Sequence, residues 1–182
     1  MAALPEQGVE KIPSTLPAPP EARAKLGVAG GAEGRRLAAP QVIIIPAMDA
    51  PKIGRLTPQA GWIGAYYPIL HGRGNHRNPR AVRYGLWKDH VRAHLPAGLA
   101  ETAPTRERPL RLDTFPVFRN GQHPDAANVR KGVEDALWRN DKYAYGMVGR
   151  PRFDKENPRV ICFVGPPEAF EGFDVEQEAS TR

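Results

Sequence analysis

The longest apolar stretches in this chain of 182 residues are only four or five residues long. Residues 42–45 are followed by Pro46, and residues 160–164 are followed by Gly165 and two prolines. Short β-branched runs bounded by Pro or Gly are typical of buried strands. A membrane-spanning helix needs about 20 consecutive apolar residues. We therefore expect a soluble chain with a small sheet, and no membrane partner.

Helical and strand patterns alternate between these two runs. Residues 80–95 and 124–138 carry apolar residues at helical spacing, whereas residues 110–118 and 143–147 alternate as strands. Pro116 favours an edge strand or a strand end. The resulting order is strand, helix, strand, helix, strand, strand. It predicts a single small α+β domain in which a mixed β-sheet packs against two main helices.

The two ends of the chain differ from its middle in composition and charge. Residues 1–40 contain nine Ala, six Pro and five Gly and no aromatic residue, which predicts a flexible leader. Residues 166–182 form an acidic C-terminal tail. The net charge of the whole chain is +6, but residues 41–165 carry about +9. A domain of this charge favours a nucleic-acid partner.

Cysteine content and the N-terminus indicate the compartment. Cys162 is the only cysteine, so neither an intrachain disulfide nor a cysteine-based zinc site can form. The N-terminus has acidic residues and lacks the apolar core of a secretory signal. We expect a cytoplasmic protein.

Residues 46–80 are predicted to be a long loop, rich in Gly and Pro, in which Trp62, Tyr66 and Tyr67 pack or contact a ligand.

The helix predicted after this loop is basic. His90 and His94 have the i, i+4 spacing of metal ligands, but Val91 stands where a zinc-protease motif requires Glu. A basic surface that meets phosphates or solvent is the better interpretation. The candidate DNA contacts in this region are Arg73, Arg77, Arg80, Arg83 and Lys88.

Polar residues also converge on the second predicted helix. At 100° per residue, Asn128, Lys131 and Asp135 lie on one stripe opposite Val133, and Asp125 stands at the helix start. The simpler interpretation makes Asp125 an N-cap and Lys131 with Asp135 a solvated i, i+4 pair. The functional interpretation makes the same stripe a catalytic site.

The pattern Pro-Asp-x-x-Asn-x-x-Lys-x-x-x-Asp-Ala-Leu, followed by an acid in the next turn, resembles the RusA-type Holliday junction resolvases. The resemblance covers residues 41–165 and is specific over residues 123–141. It implies a RusA-like fold and a metal-dependent, structure-selective endodeoxyribonuclease of DNA recombination and repair. It also implies magnesium, or manganese in its place, and a homodimer acting on branched DNA.

By position, Asp125 matches the first metal-binding acid of the family, Lys131 the essential lysine and Asp141 the acid after the helix. Asn128 matches the family's asparagine, and Asn128 and Arg130 are further candidate DNA contacts. The family pattern has a second acid where this chain has Ala127, and Asn140 replaces one member of an acidic pair. Metal ligands are thus expected from Asp125 and Asp141. The residues that could compensate for the missing acid are Asp135, His123 and Asp113.

Two further classes of protein stay open. Loss of the acid at Ala127 favours a catalytically degenerate RusA-like protein that binds DNA without cutting it. The third class is a structural or interaction protein in a larger assembly, whose leader and tail dock on protein partners.

Overall fold

A computed structural model describes residues 39–67 and 78–182. The expected leader lies almost wholly outside these ranges, as do Arg73 and Arg77 of the expected DNA-binding set. The described residues form a small α+β domain with a mixed sheet, and this confirms the predicted fold class. In this part of the chain, no helix is long and apolar enough to cross a membrane.

The main sheet is organised around β4 (Leu110–Phe118) and β7 (Arg159–Gly165), which pair antiparallel. β1 (Gln41–Pro46) pairs antiparallel with the other edge of β7. Strand β7 is therefore interior, and all its residues after Arg159 are buried. A strand covered on both faces needs apolar side chains in both directions, which explains its uninterrupted apolar run.

The second edge of β4 carries two short parallel strands, β5 (Ala144–Tyr145) at its start and β6 (Arg152–Phe153) at its end. Gly146 follows β5 with a φ of 147°, and a Cβ there would lie 2.1 Å from the carbonyl oxygen of Leu112. Only glycine permits this approach. The strand predicted over residues 143–147 is thus shortened to two residues by the bend at Gly146.

Pro116 lies inside β4 and not at the expected edge or strand end. On the β5 side of β4, Thr114 donates its N–H to the Met147 carbonyl and accepts from the Gly149 N–H. Backbone groups alternate along a strand, so residue 116 faces the same edge as residue 114. Pro116 lies between the bridge at Thr114 and the ladder with β6, which begins at Val117. The missing N–H of proline is tolerated there because no partner needs it.

A separate antiparallel pair, β2 (Met48–Ala50) and β3 (Gln59–Trp62), lies within the predicted loop. Neither strand is predicted from the sequence, because neither alternates clearly and Gly and Pro surround them. Arg83 holds the connection between them, since one of its terminal nitrogens donates to the carbonyl of Pro51 at 2.8 Å and to that of Thr57 at 2.7 Å.

Two helices cover one face of the main sheet. α1 (Pro79–Ala93) begins after Asn78, whose side chain accepts a hydrogen bond from the N–H of Arg80, and α2 (Ala126–Leu137) follows β4. Their buried side chains and those of the sheet form one apolar core. Its members include Tyr84, Trp87, Val91, Val129, Val133, Ile43, Ile45, Leu112, Val160 and Cys162.

The opposite face of the sheet is covered by the C-terminal residues. A 3₁₀ turn (Pro167–Phe170) and a third helix, α3 (Val175–Thr181), bury Phe170, Val175 and Ala179 against strands β4 and β7. The segment expected to be an acidic tail is therefore part of the folded domain. Its acids are mostly exposed, and the apolar side chains between them supply the packing.

We expect Phe170→Ala to lower the free energy of unfolding by about 3–5 kcal/mol, because Phe170 is 6% exposed and its loss leaves a cavity under the sheet. Urea denaturation measures the change. The neighbouring Glu171→Ala, at an exposed position, should change it by less than about 0.5 kcal/mol. Equal stabilities of the two variants would mean that the C-terminal residues do not belong to the core.

Candidate functional site

Asp125 caps helix α2. Its Oδ1 accepts a hydrogen bond from the N–H of Ala127 at 2.8 Å, which is the usual contact of an aspartate at this position. The simpler interpretation of Asp125, an N-cap, is therefore confirmed. Ala127 is exposed in the first turn of the helix.

Lys131 lies six residues further along α2 and contacts two carboxylates. Its Nζ donates to Oδ1 of Asp135 at 2.7 Å and to Oδ2 of Asp141, which lies in the turn after the helix. The i, i+4 pair is thus present, and a second, non-helical pair is added to it. We call Lys131, Asp135 and Asp141 the Lys131 cluster.

Two tyrosines enclose the Lys131 cluster. The hydroxyl of Tyr84 donates to Oδ2 of Asp135 at 2.7 Å, and Nζ of Lys131 lies 5.9 Å from the ring centre of Tyr66. The two rings meet edge to face with centres 6.1 Å apart. Burial, followed by the hydrogen bond to Asp135, raises the pKa of Tyr84 far above its ordinary value. The hydroxyl therefore stays protonated and continues to donate at neutral pH.

The Lys131 ammonium is held in its charged form. Burial opposes the charge, but the hydrogen bonds and attraction to Asp135 and Asp141 outweigh burial and raise the pKa of Lys131 above its ordinary 10.5. One ammonium faces two carboxylates, so the two acids retain attraction for further positive charge.

Asp125 and Asp141 lie at opposite ends of α2. Asp125 comes after the end of β4, whereas Asp141 comes just before β5, which pairs with the start of β4. Along the helix, Asp125 lies six residues before Lys131 and ten before Asp135, which corresponds to about 9 Å and about 15 Å of helix axis. The structure therefore unites Lys131, Asp135 and Asp141 and leaves Asp125 apart from them.

The positions of the carboxylates decide whether a magnesium ion could bind near Lys131. Among residues 39–67 and 78–182, no group of three or more His, Cys, Asp or Glu side chains is placed to hold a metal. Asp135 and Asp141 nevertheless supply carboxylate oxygens around one shared cation. Magnesium is commonly held by one or two carboxylates with water completing its shell, so Asp135 and Asp141 fit the ion in kind. Within the described residues, Asp125 does not join them in a group of three carboxylates.

The other residues considered as replacements for the missing acid are engaged elsewhere. Asp113 is fully buried and binds the Arg111 guanidinium at 2.8 Å and the N–H of Met147 at 2.8 Å. The Nδ1 atom of His123 lies 2.8 Å from the carbonyl oxygen of Pro124. Neither residue makes a contact with the Lys131 cluster in the described part of the chain.

Two of the expected DNA contacts are committed to the fold instead. Arg83 is buried, with its side chain on backbone carbonyls. Arg130 donates to the carbonyl of Leu112 and pairs with Glu134 at 2.5 Å. Sequence position alone did not distinguish these arginines from surface ones.

The remaining expected DNA contacts reach solvent. Arg80 and Asn128 are exposed, and Lys88 is half-buried with its Nζ 5.0 Å above the Tyr84 ring. His90 and His94 each have one ring nitrogen beside a backbone carbonyl: Nε2 of His90 lies 2.8 Å from the Pro46 oxygen, and Nδ1 of His94 lies 2.8 Å from the His90 oxygen.

Two adjoining cavities of about 600 and 650 Å³ lie beside β3. The walls that they share are formed by Gln59, Trp62, Ile63, Gln122, His123 and Pro124. We call these two cavities the β3 cleft. Tyr66 and Tyr84 also line the first cavity, so the Lys131 cluster and the β3 cleft have a wall in common.

Several site residues were missed from the sequence. Tyr84 falls among the apolar positions at helical spacing in residues 80–95, but a tyrosine there also brings a hydroxyl that needs a partner when buried. Arg119 and Lys155 line the second cavity, but neither belongs to a sequence motif that would have indicated a site.

No protein-family model and no curated protein matches this chain.

We expect Lys131→Met to lower the free energy of unfolding by about 1 kcal/mol, since its side chain is 38% exposed and solvent screens both ion pairs. A raised folded-state pKa means that this contribution is complete below the ordinary pKa of 10.5 and is lost as pH rises through the folded-state value. Urea denaturation should therefore show a constant difference from wild type between about pH 6 and about pH 9, narrowing only in stronger alkali.

The control for this measurement is Lys142→Met, at an exposed position of the following turn. It should change the free energy of unfolding by less than about 0.5 kcal/mol. A Lys131→Met difference that already declines near neutral pH would contradict the charge state assigned to the cluster.

Proposed function

We propose that the protein is a metal-dependent, structure-selective endodeoxyribonuclease that acts on branched DNA in the manner of the RusA-type resolvases. The observation that supports this proposal is the contact between Lys131 and Asp141. The resemblance gives these two residues a joint role, and helical spacing does not account for their meeting, because Asp141 lies beyond the helix end.

In this proposal, Asp135 and Asp141 hold magnesium, or manganese in its place. A divalent ion there supplies Lewis-acid activation of a phosphate and a bound water of lowered pKa. Tyr84 orients the Asp135 carboxylate through its hydrogen bond. Lys131 turns its ammonium from the acids toward the scissile phosphate, where it stabilises the negative charge that develops during cleavage.

The proposal extends to a homodimer that acts in the cytoplasm. A four-way junction presents two equivalent phosphates related by a two-fold axis, and a homodimer carries two active sites related by the same symmetry. Arg80, Lys88 and Asn128 would contact the DNA backbone, which positions the substrate without reading its sequence.

Cleavage of a synthetic four-way junction in magnesium tests the proposal. We expect Asp135→Asn and Asp141→Asn to abolish paired nicking while junction binding, measured by gel shift, is retained. Lys131→Met should slow nicking by about a hundredfold or more, as when a group that stabilises transition-state charge is removed.

The variant Asp125→Asn tests whether Asp125 is a helix cap, as its contact with Ala127 indicates, or a metal ligand, as the resemblance implies. Asparagine caps a helix about as well as aspartate, so this variant should fold normally and keep cleaving if Asp125 is only a cap. Asp89→Asn is the surface control, because the Asp89 side chain is 73% exposed and pairs with Arg92 of the same helix. Loss of cleavage in Asp125→Asn together with normal cleavage in Asp135→Asn would overturn the proposed metal ligands.

The exposed Ala127 favours a second candidate function, which is binding of branched DNA without cleavage. In that case the wild type shifts the junction but leaves it intact in magnesium and in manganese, and Ala127→Asp is the variant in which to seek a gain of cleavage. If the protein does not bind branched DNA at moderate salt, the remaining class is the structural or interaction protein, docking through its leader or its C-terminal residues.

A further inference from the structure

The β3 cleft has a lining of one charge sign. Its described lining residues include four Arg or Lys side chains and His123, and none of them is Asp or Glu, although acids are 20 of the 182 residues of the chain. The cations are Arg80, Arg83, Arg119 and Lys155. Arg80 belongs to the first cavity, and Arg119 and Lys155 belong to the second. A lining of this kind is complementary to an anion with charges at both ends.

Aromatic rings form much of the wall between these cations. Trp62 lines both cavities, and its ring is held edge to face by Trp87, with centres 6.0 Å apart, and by the Arg83 guanidinium at 5.7 Å. Tyr66 lines the first cavity and is 36% exposed. Fixed, partly exposed rings beside cations are the features that bind nucleobases by stacking.

His123 adds a hydrogen-bonding group to both cavities. Its ring stacks on Phe118, with centres 4.1 Å apart and planes at 10°. The Nδ1 atom lies 2.8 Å from the Pro124 carbonyl oxygen, which can only accept, so Nδ1 carries the hydrogen. In the neutral ring Nε2 is then an acceptor, and it suits the amino group of a base.

We infer that the β3 cleft binds an unpaired DNA strand, with a base on Tyr66 or Trp62 and phosphates at Arg80 on one side and at Arg119 and Lys155 on the other. A duplex does not fit this chemistry, because its base faces are already stacked. The inference rests on the proposed function for the identity of the nucleic acid. We infer further that a DNA strand must be unpaired where it runs from the β3 cleft along Tyr66 and Tyr84 to the Lys131 cluster.

Fluorescence anisotropy without divalent metal, in an Asp141→Asn background, tests the inference with a labelled oligothymidylate and a duplex of equal length. We expect tighter binding of the single strand. Arg80→Ala, Arg119→Ala and Lys155→Ala should each reduce the magnitude of the salt slope of log K by roughly 0.7, the value for one phosphate contact on a single strand. Arg119→Lys should restore the slope.

Stacking is tested separately from charge. Tyr66→Leu should weaken single-strand binding by about 5- to 150-fold, while Tyr66→Phe keeps the ring and the affinity. Tryptophan fluorescence gives a second readout. Trp87 and Trp138 are 0% and 4% exposed, so quenching by the bound strand should come from Trp62 and disappear in Trp62→Phe.

Arg150→Ala, an exposed arginine outside the cleft lining, is the matched control and should behave as the background protein. Equal salt slopes in Arg150→Ala, Arg119→Ala and Lys155→Ala, or a preference for duplex, would overturn the inference. Cleavage is not measured here, so the two proposals fail independently. If the protein cleaves junctions but the cleft variants bind single strands as tightly as the background protein, only the inference is contradicted. If the protein binds single strands through the cleft but does not bind a junction, only the proposed function is contradicted.

Discussion

Strand β4 is hydrogen-bonded on both edges, antiparallel to β7 and parallel to β5 and β6, and it is buried from Leu112 to Phe118. Parallel pairing has a topological consequence, because the chain must return to the start of β4 before β5 can begin. Helix α2 makes that return. The cap at Asp125 therefore lies near the end of β4, and the turn with Asp141 lies near its start, beside the last turns of the helix.

Close backbone contact joins the β3 cleft to the Lys131 cluster. The N–H of Tyr66 donates to the Asn128 carbonyl at 2.7 Å, and a Cβ on Gly132 would lie 3.2 Å from the same nitrogen. The absence of a side chain at Gly132 lets the segment after β3 lie directly on α2. Tyr66 consequently reaches the Lys131 ammonium on one side and lines the cleft on the other, so a ligand in the cleft lies next to the charged cluster.

Local patterns predicted the elements whose own residues determine them. β1, β4, β7, α1 and α2 follow from apolar periodicity and from Pro and Gly at their ends. The short strands β2, β3, β5 and β6 were missed or overextended, because pairing with distant residues and a close approach at Gly146 define them. The charge of residues 166–182 predicts an acidic tail, whereas Phe170, Val175 and Ala179 pack under the sheet.

Local sequence is enough to predict the helical stripe with Lys131 and Asp135, because residues four apart on a helix are neighbours whatever surrounds them. It also placed Asp125 at the helix start, where a short acidic side chain can cap. Three relations come from the tertiary structure: Asp141 contacts Lys131, Tyr84 donates to Asp135, and Asp125 caps the helix without joining them. Those relations depend on the parallel return from β4 to β5 and on the packing of α1 against α2, and no local spacing encodes either of them.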